Sequence, residues 1–278
     1  MPLVQKALAN RYTLHREIGR GGAARVFLAE DPAGTRVALK VLHPELQVSV
    51  TAERFLREIR IVSRLDHPLV ARVLDSGEAD WLIYYVMPYI EGPTLRVHLD
   101  RVHRLSIDDA IRLGRDLLSA LGAAHGIGIV HRDVKPENVV LSAQGAVLLD
   151  FGIARAIEAA GTAQLTRSGI TVGTSSYMSP EQVQAATDID HRADLYAVGC
   201  LLYEGLVGHA PFRHPNEVVV LQMHLNEPAP DVRVQRPEAP ESLAGVIARA
   251  LEKDRAGRWQ TAAEMAEALS PQVARMGG

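Results

Sequence analysis

The stretch HRDVKPEN at residues 131–138 constrains the fold more than any other part of this sequence. It carries four ionised side chains and the amide of Asn138, and it precedes the apolar run VVL. Asp150, in the segment LLDFG, lies twelve residues after Asn138. Polar groups cost free energy when they are desolvated without partners. The stretch is therefore either a solvated surface turn or a site that handles a charged substrate.

The composition is that of an ordinary soluble globular chain. Its 278 residues are 47% hydrophobic and 23% charged, which is typical of globular domains, and this length allows one large domain or two lobes. The net charge of −3 gives no indication of a nucleic-acid partner or of a protein that binds membrane surfaces through basic residues.

Cysteine usage and hydropathy favour a reducing, cytoplasmic setting. The single cysteine, Cys200, excludes an internal disulfide framework, and its apolar surroundings indicate a packed core residue rather than a nucleophile. The best apolar run, 195–207, is shorter than the roughly 18–20 residues that cross a bilayer, and it contains Glu204. Residues 1–10 show no signal-peptide pattern.

The first third of the chain has the pattern of an antiparallel sheet of about five strands. Short segments rich in β-branched and apolar residues alternate with Gly and Pro breaks. Residues 52–65 instead follow 3–4 spacing, which predicts one amphipathic helix, and the turn-rich stretch at 88–93 predicts a hinge. The predicted strands are 12–19, 24–30, 36–42, HPLVARVLDSG (67–77) and 81–87.

Most of the remaining chain is predicted to be helical. Ser106 with Asp109, and Thr261 with Glu264, have the form of capping boxes. Residues 155–178 resist assignment, because they show no sustained period and many Gly, Ser and Thr. Loops longer than about 12–15 residues are usually functional or disordered. The remaining predicted elements are helices at 192–207, 215–225, 241–252 and 261–269, and short strands at 139–141 and 147–149.

A set of motifs in a fixed order resembles the protein kinase family. In chain order these are IGRGGAARV (18–26), VALK (37–40), HRDVKPEN (131–138), DFG (150–152) and MSPE (178–181). The resemblance covers about residues 11–270. The lysine within HRDVKPEN and the segment GTSSYMSPE resemble the serine/threonine branch, and DFGIARA and YMSPEQ resemble bacterial kinases of eukaryotic type.

The resemblance implies catalytic roles for four charged residues. Asp133 would be the base that accepts the proton of the substrate hydroxyl, and Lys135 would neutralise charge on the transferring γ-phosphoryl group. Lys40 would contact the α- and β-phosphates and pair with a helix glutamate; taken alone, it could instead extend to the sheet edge. Glu58 is the preferred partner, and Glu53, close to the helix start, is the alternative.

The resemblance also implies ATP and Mg²⁺ as cofactors, with Mn²⁺ as a substitute. Asn138 and Asp150 would be the metal ligands, because Mg²⁺ prefers hard oxygen donors and keeps several waters. In the adenine pocket, Met87 would be the gatekeeper, Pro88 would offer its carbonyl, and Ile90 would offer its N–H and carbonyl. The other pocket residues would be Ile18, Val26, Ala38 and Val140. Ordinary core packing would also explain the apolar side chains among them.

The glycine-rich hairpin is a weaker signal than the octet. Gly19, Gly21 and Gly22 would let backbone N–H groups approach phosphates, although glycines also form ordinary tight turns. The third glycine position of the family is Ala24 here, so the phosphate contacts of the loop tip are in question. No G-K-[ST] follows, which excludes a P-loop.

Three further residues are interpreted as structural. Glu181 and Arg258 resemble a buried ion pair that holds the large lobe. Asp194 resembles the residue that anchors the backbone of the catalytic loop.

The unassigned segment 155–178 resembles an activation loop. Thr166 and Ser168 match positions that carry activating phosphates in the bacterial kinases, and Arg132 would face those phosphates. Thr171 and Thr162 are the alternatives. Thr174 matches a hydroxyl near the catalytic residues, where a phosphate would inhibit.

These observations predict an α+β fold, the two-lobed protein kinase fold, with a small antiparallel-sheet N-lobe carrying one main helix and a larger, mostly helical C-lobe. The expected boundaries are an N-terminal extension at 1–10, a kinase domain at 11–270 with its N-lobe at 11–87, hinge at 88–93 and C-lobe at 94–270, and a tail or linker start at 271–278.

The expected function is transfer of the γ-phosphoryl group of MgATP to Ser/Thr hydroxyls of proteins, with self-activation by autophosphorylation. The expected partners are protein substrates and a second copy of the chain, with no nucleic acid. The alternatives are a pseudokinase scaffold without turnover and a small-molecule phosphotransferase of kinase-like fold. The location would be the cytoplasm, either as a free protein or as the cytoplasmic part of a longer membrane-anchored one.

Overall fold

The computed structural model of the protein describes residues 2–21, 24–42, 52–80, 82–151 and 174–270. Five antiparallel strands form the N-terminal sheet in the order β1-β2-β3-β5-β4. The α+β prediction is confirmed, since this sheet is followed by a mostly helical region. The strands are β1 Thr13–Arg20, β2 Ala24–Glu30, β3 Arg36–Leu42, β4 Asp75–Ala79 and β5 Leu82–Pro88.

One amphipathic helix, α2 (Ala52–Val62), packs on the sheet. It buries Phe55 and Ile59, which lie four residues apart on one face. The helix ends before residue 65, the predicted boundary, although Leu65 itself is buried just beyond it. The apolar stripe therefore continues past the last helical turn.

The other face of the sheet is covered by a short helix, α1 (Pro2–Leu8), that the sequence did not predict. Val4 and Leu8 of this helix join the apolar cluster formed by alternate residues of the strands. The amide of Gln5 adds a polar contact, because its Oε1 accepts a hydrogen bond from Leu14 N at 2.8 Å. The N-terminal segment is thus part of the folded lobe, where the sequence suggested only an extension.

The strand prediction within 67–77 is wrong for its first half. Only Asp75–Ala79 forms a strand, while Leu69 and Ala71 make backbone hydrogen bonds to Leu148 instead, at 2.9 and 3.0 Å. Val70 and Ala71 of this run are buried where the sheet meets the rest of the molecule, whereas Leu74 is exposed. Burial against another element produced the apolar pattern without a ladder within the sheet.

The C-terminal region is built around α6 (Arg192–Val207), in which every residue from Ala193 to Val207 is buried. Cys200 lies fully inside it, as predicted. The remaining helices are α3 Leu95–Val102, α4 Ile107–Gly126, α5 Pro180–Val183, α7 Glu217–Asn226, α8 Val232–Gln235, α9 Glu241–Ala250 and α10 Ala262–Ala268. A helix buried all round is expected at the centre of a helical layer.

A two-stranded sheet sits between the two regions. It pairs β6 (Val139–Ser142) with β7 (Gly145–Leu148) and follows a 3-10 turn, Pro136–Asn138. The chain crosses from β5 through the predicted hinge, where Gly92 has φ +142° and a Cβ would lie 2.0 Å from Leu141 O. Only glycine fits there, so the hinge and β6 pack backbone to backbone.

Candidate active site

The octet 131–138 forms a loop, and the carboxylate of Asp194 anchors the backbone of that loop. The Oδ2 of Asp194 accepts a hydrogen bond from His131 N at 2.9 Å, and its Oδ1 accepts one from Arg132 N at 2.8 Å. Arg132 has a φ of +67°, a conformation that is costly for a side chain with a Cβ. The anchor at Asp194 holds this loop in a shape that it would not adopt alone.

The imidazole of His131 supports the loop from its apolar side. Its ring packs edge-on against Phe151 at 4.6 Å between centroids, and Nε2 donates to Leu149 O at 2.7 Å. Because Nε2 donates, Nδ1 is the acceptor, and it receives a hydrogen bond from Asp133 N at 3.2 Å. Both sides of the ring therefore fix the backbone on which Asp133 is carried.

Three polar side chains of the octet meet at one point. Asp133 Oδ2 lies 2.8 Å from Lys135 Nζ and accepts a hydrogen bond from Asn138 Nδ2 at 2.9 Å. Asp133 is one-third exposed, so its carboxylate faces the solvent side of the loop. In this arrangement, a carboxylate that can accept the proton of an alcohol lies next to the cation of Lys135.

The β6–β7 hairpin carries the second part of the site. It starts just after Asn138 and leads back to Asp150, and Leu149 N donates to Asn138 O at 2.8 Å. Asp150 has a φ of +62°, so its backbone turns sharply at the end of this run. The hairpin therefore brings Asn138 and Asp150 close together from positions that are twelve residues apart.

Asp150 connects the two regions of the molecule. Its Oδ2 lies 2.6 Å from Lys40 Nζ of β3, and its Oδ1 accepts a hydrogen bond from the Tyr85 hydroxyl of β5 at 2.7 Å. Burial alone would raise the pKa of this carboxyl, but the charge and hydrogen bond of Lys40, with the Tyr85 bond, hold the pKa below its usual value. Asp150 is thus a carboxylate at neutral pH.

The predicted ion pair between Lys40 and Glu58 is not among the contacts of the described residues. Lys40 is paired with Asp150 instead, and Glu58 has a contact of its own. Both Glu58 and the alternative, Glu53, lie on α2. The observed pairing places the lysine on the carboxylate that the sequence assigned to metal.

The donor set suits a small, hard cation such as Mg²⁺. The amide of Asn138 donates from Nδ2 to Asp133 O and Oδ2. Among the described residues, no hydrogen bond to Asn138 Oδ1 is observed. Asp150 supplies the neighbouring carboxylate. One carboxylate and one amide oxygen match the few protein ligands that Mg²⁺ takes when phosphates and waters complete its shell, and the same oxygens accept Mn²⁺.

An apolar patch beneath the sheet collects most residues of the predicted adenine pocket. Ala38 and Met87 face each other across β3 and β5. Val140 lies on β6 with its Cγ1 beside Gly92, and it is not part of the apolar patch. Pro88 ends β5 opposite Val37. The pocket residues in the cluster are Ile18, Val26, Ala38, Met87 and Ile90.

The glycine-rich hairpin joins β1 to β2. Gly19 pairs with Val26, and Gly21 N donates to Ala24 O at 2.9 Å, which closes the turn. The side chain of Ala24 is buried in the apolar cluster, so its methyl group serves packing. Gly22 lies outside the described residues.

The structural ion pair is present and buried. Arg258 donates from both terminal nitrogens to Glu181, at 2.7 and 2.8 Å, and Arg258 is 0% exposed. Burial would raise the pKa of Glu181, but the arginine lowers it below its usual value. Thr162, Thr166, Ser168 and Thr171 lie outside the described residues, and so does the side chain of Thr174.

Sequence reasoning missed two residues that shape the site. Gln182 donates from Nε2 to Arg132 O at 2.7 Å, which ties the MSPE segment to the catalytic loop. The sequence predicts Tyr85 only as part of the strand at 81–87. It lies two residues before Met87 on the same face and opposite Lys40, and strand alternation from the predicted gatekeeper could have placed it at the site.

Comparison with known proteins identifies clear relatives. A sequence profile described as the protein kinase domain matches residues 12–269. The serine/threonine-protein kinase PknB of Mycolicibacterium smegmatis is 41% identical over 268 residues, which are 93% of this chain and 42% of that protein. A probable serine/threonine-protein kinase PknB of Bifidobacterium longum is 39% identical over 266 residues, with 91% and 38% covered.

A third relative, a probable serine/threonine-protein kinase PknB of Lactococcus lactis, is 36% identical over 266 residues, with 94% of this chain and 42% of that protein covered. The chain thus spans between 38% and 42% of the length of these three relatives. Within the part of the chain that the structure describes, no helix is both long and apolar enough to cross a membrane.

Proposed function

Since the chain belongs to the protein kinase family, we propose that it transfers the γ-phosphoryl group of ATP to Ser or Thr hydroxyls of protein substrates. The observation that carries this proposal is the meeting of Asp133, Lys135 and Asn138 on one anchored loop. A phosphoryl acceptor needs a base within reach of its proton and a cation near the transferred group, and the loop supplies both.

Each side chain of the site has a role in this reaction. Asp133 accepts the hydroxyl proton, and Lys135, at 2.8 Å from it, offsets the negative charge of the transferred group. Lys40 is the cation for the α- and β-phosphates, which requires it to exchange Asp150 for nucleotide oxygens. Asn138 and Asp150 would hold Mg²⁺, which would supply positive charge to neutralise the phosphates of the nucleotide. The remaining catalysis is positioning.

The nucleotide would lie between the sheet and the β6–β7 hairpin. The apolar cluster around Ala38 and Met87 suits the flat adenine ring, and the backbone of the hinge offers hydrogen-bonding groups. Pro88 keeps its carbonyl although it lacks an N–H. The turn at Gly21 would cover the phosphates, with backbone N–H groups in place of side chains.

Substitution of Asp133 tests the proposal. We expect Asp133→Asn to lower kcat by about 10²–10⁴, the usual contribution of a positioned acid–base group, while the affinity for ATP is retained. The measurement is transfer of γ-labelled phosphate to a mixture of protein substrates and metabolites. Asp188→Asn, at an exposed position paired with Arg255, is the matched control and should leave kcat unchanged.

The same assay separates the alternatives. Binding of ATP without transfer by the wild-type chain would indicate a scaffold without turnover. Label found on metabolites alone would indicate a small-molecule phosphotransferase. A near wild-type kcat for Asp133→Asn would refute the assignment of the base.

The length of the relatives is relevant to the cellular location of this domain. We infer that it acts in the cytoplasm and, because the matched relatives are more than twice as long as their matched regions, that it is the catalytic part of a longer protein. A membrane anchor in that longer protein is a further proposal, and the alternative is a free cytoplasmic protein. Fractionation of cells that express the genomic reading frame tests this. Recovery of the full-length product only in the soluble fraction would contradict the anchor.

A further inference from the structure

Tyr85 places a hydroxyl group in an otherwise apolar part of the lobe. The residue is 1% exposed and lies in β5, among buried residues such as Ile83 and Met87. Its hydroxyl donates to Asp150 Oδ1 at 2.7 Å. A buried hydroxyl without a partner would cost free energy. The hydrogen bond to Asp150 offsets that cost, which an apolar side chain of the same size would not incur.

The carboxylate of Asp150 is therefore held at both oxygens. Lys40 contacts Oδ2 and Tyr85 contacts Oδ1, so rotation of the carboxylate plane would break at least one of the two contacts. Each carboxylate oxygen has two acceptor directions. One hydrogen bond on each oxygen leaves a second direction through which a cation can bind.

The tyrosine ring is itself fixed from several sides. It is paired across the sheet with Lys40, whose Nζ lies 5.8 Å from the ring centroid, and it packs against Phe55 of α2 at 6.4 Å between centroids. These contacts hold the ring in one place, so its hydroxyl is a rigid donor to Asp150.

We propose that Tyr85 is a positioning residue for Asp150, and that its hydroxyl orients the carboxylate for a divalent cation bound with ATP. This inference rests on the proposed function, because it takes Asp150 as a metal ligand. Lys40 must leave Asp150 when it moves to the phosphates of the nucleotide. Tyr85 then becomes the donor that keeps the carboxylate in place during turnover.

The test removes the hydroxyl alone. Tyr85→Phe keeps the ring and its packing, and we expect Mn²⁺ to bind about tenfold more weakly in the presence of a non-hydrolysable ATP analogue. Loss of a donor that orients a metal ligand usually costs about 10–100-fold in affinity. The readout is free Mn²⁺ measured by electron paramagnetic resonance, which requires no turnover. In steady-state assays, the Mg²⁺ concentration for half-maximal rate should rise in parallel.

Tyr84→Phe is the matched control. Tyr84 is the preceding residue of the same strand, is fully buried, and points to the opposite face, where its hydroxyl accepts a hydrogen bond from Arg11 at 2.6 Å. Loss of that hydroxyl should leave Mn²⁺ affinity unchanged. Tyr85→Met provides a second variant without the hydroxyl and should show the same weakening as Tyr85→Phe.

The outcomes separate this inference from the proposed function. If Asp150→Asn abolishes Mn²⁺ binding while Tyr85→Phe binds as tightly as wild type, the role of Tyr85 is refuted and the metal site stands. Tighter binding by Tyr85→Phe, or equal weakening in Tyr84→Phe, also refutes it. If the wild-type protein with the nucleotide analogue does not bind Mn²⁺, or if Asp150→Asn binds it normally, the proposed metal site and with it the proposed function are refuted, whatever Tyr85→Phe does.

Discussion

At the scale of single residues, the buried ion pair between Glu181 and Arg258 links the MSPE segment to the C-terminal helices. Arg258 also donates to the carbonyl oxygens of Glu252 and Lys253, at 2.7 and 2.9 Å, and its guanidinium lies 5.0 Å from the ring centroid of Tyr196. All these contacts converge on one arginine, so a single substitution leaves several groups without partners.

Arg258→Met should therefore destabilise the protein strongly. Removal of one member of a buried pair leaves the other charge uncompensated, which costs about 3–5 kcal/mol of unfolding free energy. Urea unfolding at pH 7 measures this loss. Arg255→Met, which removes a half-exposed pair with Asp188 on the surface, is the control and should cost less than about 1 kcal/mol.

The cost of Arg258→Met should shrink in acid. In the wild-type protein the pKa of Glu181 is lowered, so the stabilisation from this group is present above its unfolded value near 4.5 and is lost as pH falls through the folded pKa. In the variant, burial without the arginine raises the pKa of Glu181, so the variant gains stability as pH falls. Unfolding free energies that stay equally far apart at pH 4 and pH 7 would contradict this account.

The polar residues of the site were predictable to different degrees. The proximity of Asp133, Lys135 and Asn138 follows from an octet whose spacing places them on one loop, and their proposed roles come from the family resemblance. The partner of Lys40 does not follow, because it depends on how the sheet sits over the β6–β7 hairpin, and several carboxylates lie within reach of a long lysine. Strand alternation places Tyr85 on the same face as Met87, but its contact with Asp150 joins residues 65 positions apart, and no local pattern identifies that partner.

At the scale of elements, α1 shows how a short helix can complete a sheet. Leu8 is fully buried against β-strand residues such as Phe27 and Leu39, whereas Lys6 of the same helix is exposed. A helix of seven residues is too short to be stable alone, so its stability comes from this packing.

Leu8→Ala should accordingly lower the unfolding free energy by about 2–5 kcal/mol, the usual cost of emptying a fully buried leucine site. Lys6→Ala in the same helix should change it by less than about 0.5 kcal/mol. Chemical denaturation of both variants measures the difference. If Leu8→Ala behaves like Lys6→Ala, α1 does not contribute to the lobe.

The elements that sequence reasoning placed well are those with long periodic patterns. The helices at Arg192–Val207 and Glu241–Ala250 begin where they were predicted. The first is apolar along nearly its whole length and the second carries an apolar stripe, and both patterns are local signals. The strand prediction for 67–74 is wrong because Val70 and Ala71 are buried where Leu69 and Ala71 bond to Leu148 of β7. An apolar run indicates burial, and burial does not specify the partner.

At the scale of the whole molecule, we propose that activity is regulated by the segment that connects Asp150 to the MSPE motif. We predict that the protein activates itself by phosphorylation of Thr166 and Ser168, which lie outside the described residues. Each phosphate adds a charge of about −1.5 to −2 and three strong acceptors. Arg132, next to Asp133 on the catalytic loop, is the arginine that would receive them.

The double variant Thr166→Ala, Ser168→Ala should phosphorylate an external substrate about 5–150-fold more slowly, the range of typical coupling energies. Wild-type protein treated with phosphatase and assayed before it rephosphorylates should match the double variant. Mass spectrometry of the wild-type protein must show phosphate at both sites. Equal rates for the double variant and the doubly phosphorylated wild type would exclude this switch.

The β6–β7 hairpin is hydrogen-bonded to both places where the chain passes between the lobes. Ala71 and Leu69 bond to Leu148 of β7, and Leu141 N of β6 donates to Pro93 O at 3.0 Å. The hairpin also carries Asn138 at one end and Asp150 at the other. Because Asn138 and Asp150 flank one hairpin, they would move together if one lobe shifted against the other, whereas Lys40 and Tyr85 belong to the sheet and would move with it. The two proposed metal ligands would therefore keep their spacing, and the contacts of Asp150 with the sheet would have to accommodate the shift.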